Sequence, residues 1–283
     1  MRIFSQGWSD NKDGPGIRYV IYLKGCNFNC CYCGNPESIS PEFEIMHYQD
    51  RASQIPLEKC CSNKLDCKNC TTFECAKIFR HKQMEVAGEN LSISRIMEKI
   101  KTMRHLIDGV TLGGGEPTLQ IDEVLELLTE LKQNSIHTAI ESNASTENYK
   151  KILGKVDYLI SDLKAGTSET YKAITGVEAG SVRANLRKAA ELQKDFLIRI
   201  PLITDYNTGN NELLEMRKFL GELLKIRGEL QVQTLRLHHA GSVKYRALKK
   251  PYLLENTQVP TMEFQKSFED DLKKDGIKVL SYN

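Results

Sequence analysis

Short apolar runs alternate with amphipathic stretches along most of the chain. The strand-like runs are Arg18–Leu23, Gly109–Leu112, His137–Glu141, Tyr158–Leu163, Phe196–Ile203, Val232–His238 and Lys278–Tyr282. Helical periods lie at Ser92–Met103, Ile121–Leu131, Val182–Leu192, Glu212–Ile226 and Met262–Lys274. Strands separated by helices predict βαβ units around a parallel sheet. We therefore expect an α/β fold of about six βα repeats, a partial barrel open on one side, with an open doubly wound sheet as the alternative.

The interval 40–88 breaks this alternation, because it is polar and rich in cysteine and has no long apolar period. We interpret residues 40–88 as a small cysteine-rich insert, and residues 1–39 with 89–283 as the core domain. No apolar run reaches the roughly 18 residues needed to span a bilayer. The first ten residues also lack the layout of a signal peptide. These features predict a cytoplasmic protein with no membrane partner.

Charge and cysteine content narrow the class of protein further. The 39 basic and 37 acidic side chains leave a net charge of +2, which gives no reason to expect nucleic acid as a partner. The nine cysteines fall in two groups, one at residues 26–33 and one at residues 60–75. In a reducing compartment such groups bind metal more often than they form disulfides.

The first group contains a C-x3-C-x2-C triplet formed by Cys26, Cys30 and Cys33, directly after a strand-like run. Three thiolates on one loop can hold three irons of a 4Fe–4S cluster and leave the fourth iron open to a substrate or cofactor. Zinc would usually need a fourth protein ligand. Cys31 falls outside the spacing, so we predict that it is not a ligand.

This triplet, with Tyr32 just before its last cysteine, resembles the signature of radical S-adenosylmethionine (SAM) enzymes. The resemblance implies the partial (βα)6 barrel of that superfamily. It also implies an oxidoreductase in which the amino and carboxylate groups of SAM chelate the open iron. An electron from the cluster then cleaves SAM to methionine and a 5′-deoxyadenosyl radical. We expect no general acid or base, because direct hydrogen abstraction needs none.

Two flanking segments, Asp13–Arg18 and Gly34–Ser38, resemble one branch of the superfamily, the activating enzymes of glycyl radical enzymes. This implies that the protein abstracts hydrogen from a glycine of a partner glycyl radical enzyme, in an anaerobic setting. In that branch the Asp13–Gly16 turn lies beside the substrate peptide. A tight turn that leads into a strand would use the same residue types.

Motifs at the predicted strand ends resemble the segments that bind SAM in this family. In that family, the segment that matches the glycine-glycine-glutamate-proline run at 114–117 contacts the SAM amino group. Such a run is also typical of a plain strand-to-helix turn. The resemblance places the methionyl part of SAM at the strand ends. It also implies a monovalent cation beside the SAM carboxylate and an arginine guanidinium bound to that carboxylate. The implied SAM-binding residues are Tyr32, Cys33, Gly34, Gly114, Gly115, Glu116, Glu141, Asp162, Lys164, Arg199 and His238.

The second cysteine group offers four thiolates, enough to close a second 4Fe–4S cluster. Its predicted ligands are Cys61, Cys67, Cys70 and Cys75, and Cys60 could replace Cys61. Ferredoxin-like inserts occur at this point in many activating enzymes, but four cysteines also suit a structural zinc. The mildly basic insert could dock an acidic flavodoxin or ferredoxin-like electron donor.

Two other functions stay open from the sequence. One is a radical SAM enzyme that modifies another peptide or a small molecule. The other is a zinc-stabilised binding module without catalysis.

Overall fold

A computed structural model describes residues 1–48 and 84–281. Its strands, in chain order, are β1 (Arg2–Asp10), β2 (Ile17–Leu23), β3 (Glu44–His47), β4 (Met84–Ala87), β5 (Glu89–Asn90), β6 (Gly109–Gly114), β7 (His137–Ser142), β8 (Tyr158–Asp162), β9 (Asp195–Leu202), β10 (Gln231–Arg236) and β11 (Lys278–Val279). Nine of them form one sheet in the order β11-β10-β9-β8-β7-β6-β2-β1-β5. Neighbours from β2 to β11 pair in parallel, whereas β1 pairs antiparallel with β2 and β5. The sheet ends at β11 and β5 without closing, as expected for a partial barrel.

Helices connect the parallel strands. They are α1 (Ile93–Thr102), α2 (Ile121–Gln133), α3 (Ser168–Thr175), α4 (Gly180–Leu192), α5 (Asn210–Arg227), α6 (Ser242–Ala247) and α7 (Met262–Lys274). The hydroxyls of Ser92, Thr167 and Thr261 accept hydrogen bonds from backbone N–H groups in the first turns of α1, α3 and α7. These side chains satisfy donors that have no partner within the helix. Gly176 and Gly228, both left-handed, follow the last residues of α3 and α5.

The two faces of the sheet carry different residues. Val110 and Leu112 of β6 belong to the same buried apolar cluster as Val124 and Leu127 of α2. Because side chains alternate along a strand, Thr111 between them points to the opposite face. The same alternation puts polar side chains of β7, β8 and β9 on that opposite face, away from the helices. The apolar face therefore builds the core, and the other face is available for a site.

Buried Arg18 fastens the start of β2 to its neighbours. Its guanidinium donates hydrogen bonds to Thr111 Oγ1 at 3.0 Å, Val110 O at 2.7 Å and His137 O at 3.2 Å. Burial lowers the pKa of Arg18 to about 10, which still leaves it charged near neutral pH. A side chain at Gly109 would overlap this guanidinium, so glycine is needed there.

The predicted insert begins and ends in the two-stranded sheet of β3 and β4, where His47 is opposite Met84. This antiparallel pair brings together the two ends of the segment 49–83, which lies outside the described residues. The division into core and insert at residues 40–88 stays a prediction. Among the described residues no helix is long and apolar enough to cross a membrane.

Candidate active site

The cysteine triplet lies on residues 24–34, here called the cysteine loop, which follows the carboxyl end of β2. The backbone N–H groups of Asn29 and Cys31 donate hydrogen bonds to the carbonyls of Thr175 and Ile174, each at 3.0 Å. Both carbonyls lie in the last turn of α3, where helical carbonyls have no partner within the helix. The end of α3 therefore fixes the middle of the cysteine loop.

Cys26, Cys30 and Cys33 line one cavity of about 170 Å³, and Cys31 is not among its lining residues. That Cys31 is not a ligand stays a prediction. Burial raises the pKa of Cys26 to about 12 and raises the pKa of Cys30 and Cys33 as well. Thiols of this kind are poor nucleophiles near neutral pH, whereas a bound metal would deprotonate them. The cavity thus suits metal ligands better than a nucleophilic cysteine.

The triplet suits the cysteine ligation of a cluster. A 4Fe–4S cluster contacts each cysteine through a different iron, so three cysteines that line one cavity can hold three of its irons. Within residues 1–48 and 84–281, no group of three His, Cys, Asp or Glu side chains is arranged to hold a single metal ion.

An ion pair at the end of β8 faces the same cavity. Lys164 Nζ donates to Asp162 Oδ2 at 2.8 Å, and both residues line the cavity. Burial alone would lower the pKa of Lys164, but Asp162 and other neighbours hold it well above its usual value, so the ammonium stays charged. The ammonium lies 5.6 Å from the ring centre of Tyr32. The buried Tyr32 hydroxyl has no hydrogen-bond partner in the described part of the chain.

Arg199 has an anionic partner within the chain itself. Its Nη1 donates a hydrogen bond to Glu141 Oε1 and lies 3.9 Å from Asp13 Oδ1. Its Nε donates to Gln233 Oε1 at 2.9 Å, and its Nη2 donates to the carbonyl of Lys12. The sequence predicted SAM as the anionic partner, whereas here the guanidinium is engaged by Glu141. This contact also brings the Asp13–Gly16 turn to the polar face of the sheet.

Glu141 has an unusual protonation equilibrium, chiefly because it is buried. Burial raises its pKa to about 8; Arg199 opposes this shift, and the nearby carboxylate of Asp13 adds to it. Glu141 lines the cavity, so its carboxyl lies between the cysteine loop and the arginine.

The glycine run at the end of β6 allows two backbones to approach closely. Gly114 has a φ of +100°, and a Cβ there would lie 2.8 Å from the backbone N of Leu23. The Gly115 N–H donates to Leu23 O at 2.8 Å. Both glycines line the cavity, so they shape its wall as well as the contact between strands.

Glu116 lies behind the cavity wall and is fully buried. Its Oε1 accepts hydrogen bonds from Ser142 Oγ at 2.8 Å and from the N–H and hydroxyl of Thr118, and its Oε2 accepts from the Asn143 N–H at 2.7 Å. The sequence predicted that Glu116 binds cofactor. In the structure its carboxylate is occupied in joining the end of β6 to the end of β7.

The two histidines after β10 have different surroundings. His239 contacts Tyr252 Oη at 3.1 Å and Thr257 O at 3.0 Å. His238 is exposed, and both histidines line a second cavity, of about 570 Å³, together with Tyr32. A Cβ placed on Gly34 would lie 3.3 Å from His238 Cε1. His238 thus lies beside the cysteine loop, and its contact with SAM stays a prediction.

The segment after His238 also closes over the cysteine loop, a contact that sequence reasoning missed. Lys244 Nζ donates to Asn35 Oδ1 at 2.6 Å and to Glu37 Oε1 at 2.5 Å. A Cβ on Gly241 would lie 2.8 Å from the carbonyl of Cys33. The sequence singled out the segment 34–38 but predicted no contact for Lys244; in the structure Lys244 joins Asn35 and Glu37 in one contact, here called the lysine latch.

Comparison with known proteins places the chain in a family. Residues 20–220 match the model of the Radical SAM superfamily, and the chain belongs to that superfamily. It is 29% identical over 280 residues to the (2S)-3-sulfopropanediol dehydratase activating enzyme of Klebsiella oxytoca, which covers 90% of this chain and 87% of the relative. It is 29% identical over 272 residues to the trans-4-hydroxy-L-proline dehydratase activating enzyme of Clostridioides difficile, with 89% of each covered.

Among solved structures, a radical SAM methyltransferase from Sphaerobacter thermophilus has the same fold. The superposition of the two structures has a TM-score of 0.58 at 13% sequence identity, and it covers 94% of this chain and 66% of the methyltransferase. These comparisons confirm the α/β partial barrel and the expected class, a radical SAM enzyme with relatives among the activating enzymes of glycyl radical enzymes. The cofactors of this class are a 4Fe–4S cluster and SAM.

Proposed function

We propose that this protein activates a partner glycyl radical enzyme by removing a hydrogen atom from the Cα of one glycine and leaving a glycyl radical on that partner. One observation carries the proposal: the three cysteines face the same cavity as the Asp162–Lys164 ion pair, at the carboxyl ends of parallel strands. Ligands of open α/β sheets and barrels bind at those ends. The relatives named activating enzymes support the choice of partner.

In this proposal Cys26, Cys30 and Cys33 hold the 4Fe–4S cluster. Cluster and SAM, when bound, would supply the one-electron chemistry of hydrogen abstraction. The chain contributes binding and orientation. Lys164 and Asp162 present opposite charges to the cavity, which suits the amino and carboxylate groups of a zwitterion.

The other predicted SAM residues divide into two groups. Those beside the two cavities would contact SAM directly, and they are Tyr32, Gly34, Gly114, Gly115, Glu141 and His238. Glu116 and Arg199 are not among the residues that line either cavity, and their contact with SAM stays a prediction. Through their protein partners they would also hold the ends of β6, β7 and β9 in place.

The monovalent cation stays a prediction, and the described contacts do not favour it. Asp162 already pairs with Lys164, and Glu141 with Arg199. A cation between these carboxylates would have to compete with an ammonium and a guanidinium that are covalently part of the site.

The second cysteine group lies outside the described residues, so its ligands remain as the sequence proposes them. Cys61, Cys67, Cys70 and Cys75, with Cys60 as the substitute for Cys61, would hold a second 4Fe–4S cluster or a zinc ion. A flavodoxin or ferredoxin-like protein is the proposed electron donor. The cytoplasmic location and the absence of nucleic-acid and membrane partners also stay predictions.

The test is anaerobic reconstitution with a glycyl radical enzyme encoded beside this protein, followed by electron paramagnetic resonance. We expect a glycyl doublet that requires SAM and reductant, and its loss in Cys30→Ser but not in Cys31→Ser. Formation of 5′-deoxyadenosine without a doublet on any encoded partner would favour the modification of another peptide or a small molecule. Stoichiometric zinc without iron would instead support the binding module.

A further inference from the structure

We propose that Asn143 is a positioning residue for the cluster: it donates a hydrogen bond to the sulfur of Cys26 and raises the reduction potential of the cluster. This inference rests on the proposed function, because it needs Cys26 to be an iron ligand. Asn143 directly follows β7 and is 6% exposed. Its Nδ2 lies 3.9 Å from Cys26 Sγ, at the long end for a hydrogen bond to sulfur, and 3.0 Å from Asn27 Oδ1.

The orientation of the Asn143 amide is fixed by its other contacts. Its Oδ1 accepts the backbone N–H of Ser145 at 3.0 Å and the Ser145 hydroxyl at 2.6 Å. A backbone N–H can only donate, so the oxygen of the amide must be on that side. The NH2 group must then face Cys26, and the sulfur meets a donor.

The same side chain is locked in place by a closed ring of hydrogen bonds. Asn143 donates to Asn27, Asn27 Nδ2 donates to Ser145 Oγ at 2.7 Å, and Ser145 donates back to Asn143. The backbone N–H of Asn143 is held separately by Glu116 Oε2. The amide therefore cannot swing away from the cysteine loop without breaking several hydrogen bonds.

A donor at this sulfur has a predictable effect on a cluster. Hydrogen bonds to the sulfurs are among the factors that set the potential of an iron–sulfur cluster. Reduction adds negative charge, so a donor stabilises the reduced state more than the oxidised state and raises the potential. The backbone N–H of Phe28 also donates to Cys26 Sγ, at 3.4 Å. Asn143 thus adds a side-chain donor to the backbone donor at the same ligand.

The experiment is a potentiometric titration of the anaerobically reconstituted protein, without a partner enzyme, followed by electron paramagnetic resonance. The signal of this cluster is identified by its change when SAM is added. In Asn143→Leu we expect the ratio of reduced to oxidised cluster, measured at the wild-type midpoint potential, to fall about tenfold. This corresponds to a midpoint potential about 59 mV lower for a one-electron couple. Asn29→Leu is the matched control, because Asn29 lies exposed on the same loop; we expect no shift.

The outcomes separate this inference from the proposed function. If the wild-type protein assembles no cluster that responds to SAM, the proposed function fails. If it does, and Asn143→Leu has full iron content with an unchanged midpoint, the inference about Asn143 is wrong. Should the leucine variant not load iron, Asn143→Ala decides, because it removes the donor without adding bulk or charge beside the cluster. An alanine variant with full iron content and the wild-type midpoint would also overturn the inference.

Discussion

Replacement of Glu116 by alanine should destabilise the protein strongly. The carboxylate is fully buried and accepts four hydrogen bonds, from two groups of Thr118, from Ser142 and from the Asn143 N–H. A hydrogen bond to a charged group contributes about 1.5–3 kcal/mol net, and a buried donor left without a partner costs about 1–3 kcal/mol. Water that enters the space of the lost side chain would restore some of these bonds, so the costs do not add fully. We expect a loss of about 3–5 kcal/mol in the free energy of unfolding.

The loss can be measured as a change in Tm by circular dichroism on anaerobically purified protein. At about 2–3 °C per kcal/mol for a chain of this size, Glu116→Ala should lower Tm by roughly 6–15 °C. Glu126→Ala, an exposed glutamate of α2, is the matched control and should change Tm by less than about 2 °C. Equal Tm values for the two variants would show that the Glu116 carboxylate does not hold the ends of β6 and β7 together.

Three further results are expected. Cys30→Ser should lower the iron content by about four atoms per chain, whereas Cys31→Ser should retain it, as measured by colorimetric iron assay; equal losses would contradict the ligand assignment. The raised pKa of Glu141 means that the folded state holds its proton more tightly than the unfolded state does. The contribution of this group to stability therefore falls as pH rises from about 4.5 to about 8. Between pH 6 and 8 the Tm of Glu141→Gln should consequently fall less than the Tm of the wild type. Lys244→Met should lower Tm by about 2–6 °C, because it leaves buried Glu37 unpaired. In the double variant with Glu37→Gln, part of the lost Tm should return. An unchanged Tm in the double variant would show that lost charge pairing is not the cause.

The parallel strands could be predicted because each buried strand appears in the sequence as a compact apolar run. Strand β1 could not, since only Ile3 of its nine residues is buried and Trp8 is half exposed. Beyond β1 the sheet has only the two-residue strand β5, so most of β1 is exposed and shows no clear apolar alternation. Its pairing with β2 comes from the fold as a whole.

The site was predictable in its composition but not in its internal pairing. The cysteine spacing and the strand-end motifs indicated which residues would gather. A buried arginine predicts an anionic partner, yet the sequence does not show that Glu141, 58 positions away, would be the partner of Arg199. Likewise the residues next to Glu116 in the sequence do not show that Ser142 and Asn143, at the end of β7, donate hydrogen bonds to its two carboxylate oxygens.

The lysine latch has a consequence for the order of events during biosynthesis. Lys244 is separated from Glu37 by 207 positions, and the carbonyls that anchor the cysteine loop belong to α3, more than 140 positions after it. The cysteines therefore leave the ribosome long before the groups that fix their loop have been made. We expect a nascent chain that ends before α3 to present its thiols on a loop without a defined shape, and one that ends before Lys244 to lack the contact with Asn35 and Glu37. Delivery of iron and sulfide to the triplet should therefore follow completion of the chain.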